Sequence, residues 1–258
     1  MILQHKGIPV FFTDSGKGPA LVMLHGFLEN SNMWNPFLPE LTQKNRVIRI
    51  DLLGHGQTGC LGYIHSMQLM ASAVKAVLNH LKIKQSTFIG HSMGGYVALA
   101  FAERNPDAVT GLCLMNSTAE ADSKEKKENR DRAVIAVKQN HKTFIRIAVQ
   151  NLFSPKNRSV FAKAIEQIVA EALQTPLQGI VAALEGMKTR PNREAVLSSK
   201  QFKAMMIISK EDPVLEHSAL LLQAKKANAK VVEFPDGHMC HIENKDDFLH
   251  SIMYFIEN

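Results

Sequence analysis

The chain has 258 residues, 45% of them hydrophobic, which suits one large α/β domain or one domain carrying an insertion, with a substantial core. Its three cysteines (Cys60, Cys113, Cys240) are odd in number, widely spaced and without C-x-x-C or metal-ligand spacing. That excludes a disulfide framework and a cysteine metal site, and points to a reducing compartment. The formal charge is +6, but no basic helix or aromatic–basic motif goes with it, which speaks against nucleic acid.

The opening residues, Met-Ile-Leu-Gln-His-Lys-Gly, form no apolar leader core, and no run of roughly 18 apolar residues occurs. The expectation is a soluble, cytoplasmic protein with no membrane span. The charge is unevenly placed. Glu120 to Lys200 holds 15 Lys/Arg against 9 Asp/Glu, and the rest of the chain balances at 15 of each. Such a surplus is either a solvated helical face or an attractor of anionic substrates.

In chain order, residues 2–14 read as a hairpin-like pair of strands around Lys6-Gly7. Ala20 to Leu24 is a continuous apolar run, as expected for a strand covered on both faces. It ends in His25-Gly26-Phe27, and a helix is predicted from Ser31 to Leu41. Arg46 to Ile50 is the next strand, ending at Asp51-Leu52-Leu53-Gly54-His55-Gly56-Gln57-Thr58. Ser66 to Leu81 has helical spacing. An apolar β-type run (Thr87–Ile89) follows, then a helical run from Tyr96, stopped by Pro106. Gly111 to Met115 is another buried strand.

Strand patterning then stops. Residues 118–191 read as helical stretches at roughly 122–140, 142–152, 157–174 and 177–188, with Asp122–Arg132 as a solvated charge run. Strand–helix alternation returns with Ala204–Ser209, Leu215–Ala227, Val231–Phe234 and Lys245–Ile256. The alternation implies a doubly wound, mostly parallel sheet. Ligands bind such sheets beyond the carboxyl ends of the strands.

Between the run ending at Ile89 and the helix from Tyr96 stands Gly90-His91-Ser92-Met93-Gly94, a G-x-S-x-G nucleophile elbow. The turn leaves the Ser92 hydroxyl clear of the strand, at a helix N-terminus that favours developing negative charge. A serine needs a base, and the base needs an orienting acid. Asp212 follows one later strand and His238 the next, and the order Ser…Asp…His is that of the α/β-hydrolases. His241 is a rival base, and Glu211 and Asp236 are rival acids.

On His25-Gly26-Phe27, Asp51 to Thr58, Gly90 to Gly95, Glu211-Asp212-Pro213 and Gly237 to Glu243, the chain resembles the α/β-hydrolase superfamily over nearly its whole length. The resemblance implies Ser92 as nucleophile, His238 as base and Asp212 as orienting acid. It implies an oxyanion hole from the backbone N–H groups of Phe27 and Met93. It implies a core of 1–117 and 192–258 and a helical cap at 118–191. Leu28, Trp34, Tyr96 and His241 are candidate pocket residues, with core packing the alternative for Trp34 and Tyr96. His25, Asp51 and His55 read as structural.

The implied activity is hydrolysis of an ester or related acyl compound through an acyl-serine, on a small-molecule substrate, with no metal or organic cofactor. Ser92 argues against the haloalkane dehalogenase and epoxide hydrolase branches, which carry Asp there. C–C bond hydrolysis, lactone opening, lyase and perhydrolase chemistry stay open on the same scaffold. So does a ligand receptor that keeps the triad. Tyr96 stands where the lyase branch of menaquinone synthesis carries Arg, which lowers that reading.

Overall fold

The computed structural model describes residues 1–258. β1 (Ile2–His5) and β2 (Ile8–Ser15) pair antiparallel across Lys6-Gly7, both at positive φ. β2 then pairs antiparallel with β4 (Arg46–Ile50). All further pairings are parallel, through β3 (Ala20–Leu24), β5 (Ser86–His91), β6 (Val109–Met115), β7 (Lys203–Ser209) and β8 (Lys230–Phe234). The eight strands run in the order β1-β2-β4-β3-β5-β6-β7-β8. β3 and β5 therefore lie at the centre of the eight-stranded sheet.

The apolar runs are continuous because both faces of the sheet are covered. Side chains alternate across a strand, so Val22 and Leu24 of β3 enter one core layer while Leu21 and Met23 enter the other. The first layer packs against α2 (Met67–His80) and α3 (Met93–Arg104). The second packs against Trp34, Phe37 and Leu41 and against Phe248, Ile252 and Phe255 of α11 (Lys245–Glu257).

Ser31 to Leu41 is not one α-helix. Ser31–Phe37 is a 3-10 segment containing Pro36, and α1 (Leu38–Leu41) follows with Pro39 in its first turn. Each proline removes a backbone donor, so a continuous i to i−4 ladder cannot form. The elbow helix α3 starts at Met93, earlier than Tyr96, because Gly94 and Gly95 are themselves helical.

Between β6 and β7 lie α4 (Lys124–Gln139), α5 (His141–Gln150), α6 (Ala162–Ala172), α7 (Leu177–Lys188) and the short α8 (Glu194–Leu197). No strand occurs among them. α6 begins five residues later than expected, because Pro155–Asn157 is a 3-10 turn. The Asp122–Arg132 run is not wholly a solvated face: the Asp122 side chain is buried and accepts hydrogen bonds from Arg130 and Arg190. α9 (His217–Ala227) follows β7, and the short α10 (Cys240–Glu243) precedes α11. No helix is long and apolar enough to cross a membrane.

Candidate active site

The turn after β5 places Ser92 at φ +50°, ψ −115°, a conformation that costs a non-glycine residue about 1–3 kcal/mol. Its surroundings hold it there. The Ser92 N–H donates to the Met115 carbonyl at 2.9 Å, and its own carbonyl accepts from Ser117 Oγ at 2.8 Å. The flanking glycines are sterically required. A Cβ on Gly90 would sit 2.5 Å from the Gly95 nitrogen, and one on Gly94 would collide with the Leu24 carbonyl. Ser92 occupies the N-cap position of α3, yet its side chain makes no capping bond. Met93 is the first residue of α3, so its N–H has no partner inside the helix.

Asp212 lies three residues past the end of β7 and His238 four past the end of β8. The His238 Nδ1–H donates to Asp212 Oδ2 at 2.7 Å, with the two side chains 2% and 0% exposed. Asp212 is saturated with donors: Asn116 Nδ2 reaches Oδ2 at 2.8 Å, and the N–H groups of Val214 and Leu215 reach Oδ1 at 2.8 and 3.1 Å. Burial pushes its carboxyl pKa up. The neighbouring His238 and these hydrogen bonds outweigh that and hold it below the ordinary value.

The rival acids look elsewhere. Glu211 bonds Ser154 and Lys156, and Asp236 bonds Lys156 and Asn244. His25 accepts from the Leu52 N–H at 2.9 Å and donates to the Gly26 carbonyl at 2.7 Å. Asp51 accepts from the N–H groups of Ser31 and Gln57. His55 is fully buried and lies 5.4 Å from His25, ring to ring. These three tie loops together at the carboxyl edge of the sheet.

A groove of about 570 Å³ opens beside this edge, between the 3-10 segment, α6 and the His238 loop. Leu28 and His241 line it; Trp34 and Tyr96 do not. Trp34 is fully buried against Phe248, and Tyr96 is stacked under the Arg190 guanidinium at 4.0 Å. On α6, Ala164, Ile168 and Glu171 recur at helical spacing and form one wall. Leu28, Met33, Met239 and Ile242 supply an apolar lining, and Asn30, Asn32 and Gln167 supply amides.

Several residues at the site were not singled out in the sequence. Asn116 supports Asp212. Glu243 binds the N–H groups of Gly237 and Ser154, and Leu152 accepts the His238 N–H at 2.8 Å, so the connection between α5 and α6 holds the His238 loop. Glu29 and His91 form a buried ion pair at 2.7 Å. His91 lies inside the elbow motif and Glu29 two residues past Phe27, but no local pattern announces a partner 62 positions away. No cluster of His, Cys, Asp or Glu is arranged to hold a metal ion.

The profile of the alpha/beta hydrolase fold matches residues 19–245. An esterase from Thermogutta terrifontis superposes with a TM-score of 0.91 at 29% identity, covering 99% of this chain and 96% of that one. A pimeloyl-[acyl-carrier protein] methyl ester esterase from Methylococcus capsulatus is 37% identical over 109 residues, 42% of this chain and 41% of that protein. An uncharacterised Mycobacterium tuberculosis protein is 39% identical over 106 residues, 41% of this chain and only 31% of its own length. With the profile covering most of the chain and the sheet order, elbow and loops described above, this protein belongs to the alpha/beta hydrolase family.

Proposed function

We propose that the protein is a serine hydrolase that cleaves an ester or related acyl substrate through an acyl-serine intermediate. The observation that carries this reading is the buried 2.7 Å bond from His238 to Asp212, on the loops that follow β8 and β7, at the same edge of the sheet as the strained Ser92 turn after β5. Asp212 fixes the His238 ring with Nδ1 protonated, which leaves Nε2 free to accept a proton. Ser92 Oγ bonds to the substrate carbonyl carbon as His238 Nε2 takes its proton. The carbonyl oxygen becomes an oxyanion, and in this reading the N–H groups of Phe27 and Met93 donate to it. As the intermediate collapses, the bond to the leaving oxygen breaks, and His238 returns the proton to it. Water then attacks the acyl-serine with His238 again as base, releasing the acid and restoring Ser92.

The groove is lined by Leu28, Met239 and His241 but not by Ser92, His238, Phe27 or Met93, and is assigned to a part of the substrate remote from the reacting carbonyl, with residues 118–191 as a cap that covers it. The esterase relatives support ester chemistry. The test is turnover of p-nitrophenyl esters by wild type and Ser92→Ala, with fluorophosphonate labelling. Ser92→Ala is expected to lower kcat by roughly 10⁶ with folding intact, because nucleophile, base and acid act as a unit. Labelling at Ser92 alone is the expected map. Robust turnover by the Ala variant would remove the mechanism, and slow single-turnover release by wild type would favour a receptor.

A further inference from the structure

Glu29 and His91 join three segments that the mechanism needs in register. Glu29 Oε2 accepts the Gly26 N–H at 2.6 Å and the His91 Nδ1–H at 2.7 Å. The His91 Nε2–H donates to the His238 carbonyl at 3.1 Å. Gly26 immediately precedes the Phe27 amide, His91 immediately precedes Ser92, and His238 is the base. Both side chains are buried, at 4% and 1% exposed.

His91 faces the Glu29 carboxyl at one ring nitrogen and a carbonyl oxygen at the other. The carbonyl only accepts, so Nε2 carries a hydrogen; with Glu29 ionised Nδ1 carries one as well, and the ring is an imidazolium. Its counter-charge is Glu29. Gly26 is glycine for the same reason: a Cβ there would sit 2.6 Å from Glu29 Oε2 and 2.9 Å from His91 Nδ1.

Resting on the hydrolase reading above, we propose that the Glu29–His91 ion pair is the positioning device of the active site, holding the oxyanion loop and His238 against the elbow. Neither residue is given a part in the bond-making steps, although Glu29 also lines the groove. An error of about 1 Å in the placement of reacting groups costs about 10² in rate, so the pair should appear in kcat and not in KM.

The charges around His91 fit this assignment. Burial disfavours the imidazolium, but Glu29 outweighs it, and the His91 pKa is raised. Burial alone would raise the Glu29 pKa, and His91 brings it down to about 2. The other groups facing His91 are His25, His238, His241 and, through space, Asp212. His241 is held near 3, first by burial and then by the His91 charge, so it does not compete as a second cation. The sign follows. The imidazolium and both its bonds are complete below His91's ordinary value of 6.5. The charge and one of the two bonds are lost as pH rises through its raised value, while Glu29 stays ionised.

The experiment compares Glu29→Gln, His91→Gln and the double variant with wild type on p-nitrophenyl butyrate, with circular dichroism as the folding control. Glu29→Gln leaves a buried cation without its counter-charge. The ring then sheds a proton and one of its two bonds. Each single variant is expected to lose about 10²-fold in kcat with KM within about threefold. In the double variant the amide introduced at position 91 has two N–H groups. It can donate both to the amide oxygen introduced at position 29 and to the His238 carbonyl. The double variant should recover at least about tenfold over the weaker single variant, the non-additivity expected of a contacting pair. Its kcat should also lack the alkaline loss that wild type owes to His91.

Folded single variants with kcat within threefold of wild type would overturn the proposal. So would a loss carried by KM, or a double variant no better than the singles. If the single variants do not fold, ¹⁵N NMR of wild type at pH 7 decides: His91 protonated on both nitrogens supports the pair, and on one nitrogen overturns it. Ser92→Ala is run alongside. If it keeps turnover, the hydrolase reading fails. If it is inactive while the pair variants are unaffected, only the pair is lost.

Discussion

Two histidines three residues apart occupy opposite circumstances. His238 is anchored at three atoms: Nδ1 to Asp212, backbone N–H to Leu152, backbone carbonyl to His91. His241 is equally buried, but its Nδ1 has no partner and its ring lies against Trp34 and His91 while lining the groove. A group with no orienting acid and a pKa near 3 is a poor base at neutral pH. His238→Ala is therefore expected to abolish turnover. His241→Ala should change kcat/KM by no more than about tenfold, the roughly 1.4 kcal/mol of a binding contact. Steady-state kinetics on a p-nitrophenyl ester checks both, and the reverse ranking would exchange their roles. Ser92, Asp212 and His238 were legible in the sequence because each stands directly after a strand and in a recognisable order. Glu29 and His91 were not. Their partnership depends on β3 and β5 lying side by side, which brings together residues that no sequence period links.

Among the helices between β6 and β7, α7 approaches backbone outside that segment closely at two glycines. A Cβ on Gly186 would collide with the His65 carbonyl, and one on Gly179 with the Gly54 carbonyl. Two opposing effects decide what Gly186→Ala does. Alanine in a helix interior gains about 1 kcal/mol over glycine from propensity. Against that, the obstructing atoms are backbone of the segment leading into α2 and cannot swing aside, and overpacking of this kind costs typically about 1–3 kcal/mol. The collision should win, lowering stability by about 1–2 kcal/mol in urea denaturation with an unchanged m-value. A gain in stability would mean that α7 does not sit against His65. The helices themselves are readable from their apolar periods, and α7 spans the 177–188 that its period predicts. Their ends are less so, because Pro36 and Pro155 sit in 3-10 turns and Pro39 starts a separate one-turn helix. Such local donor losses are invisible to a periodicity. Nor does periodicity say which face of α6 meets the groove.

At the scale of the whole molecule the question is where the surplus positive charge goes. Composition located it between residues 120 and 200 but could not orient it. Of the candidates Lys138, Lys142, Arg146, Arg158, Lys163, Lys188, Arg190 and Arg193, none lines the groove. Arg190 pairs with Asp122, Arg193 with Glu103, and Lys188 with Asp131 and Glu185. Lys138, Lys142, Arg146 and Lys163 are exposed on the helices. The groove has one cation, Lys245, and two carboxylates: Glu29, neutralised by His91, and Glu171, which accepts from Asn30 Nδ2 at 2.9 Å. A carboxylate-bearing ester would therefore gain no net attraction at the groove. Steering by the outer helices is screened over about 10 Å at 0.1 M salt and within a few ångströms near 0.5 M. The expected outcome is that a neutral ester matches or exceeds its carboxylate-bearing analogue in kcat/KM at low salt. The ratio between the two should move by less than about twofold up to 0.5 M NaCl, because neither substrate meets an uncompensated charge at the groove. A salt series on the matched pair checks it. A several-fold preference for the anionic ester that disappears with salt would place some of these lysines and arginines at the entrance and make the surplus part of substrate capture.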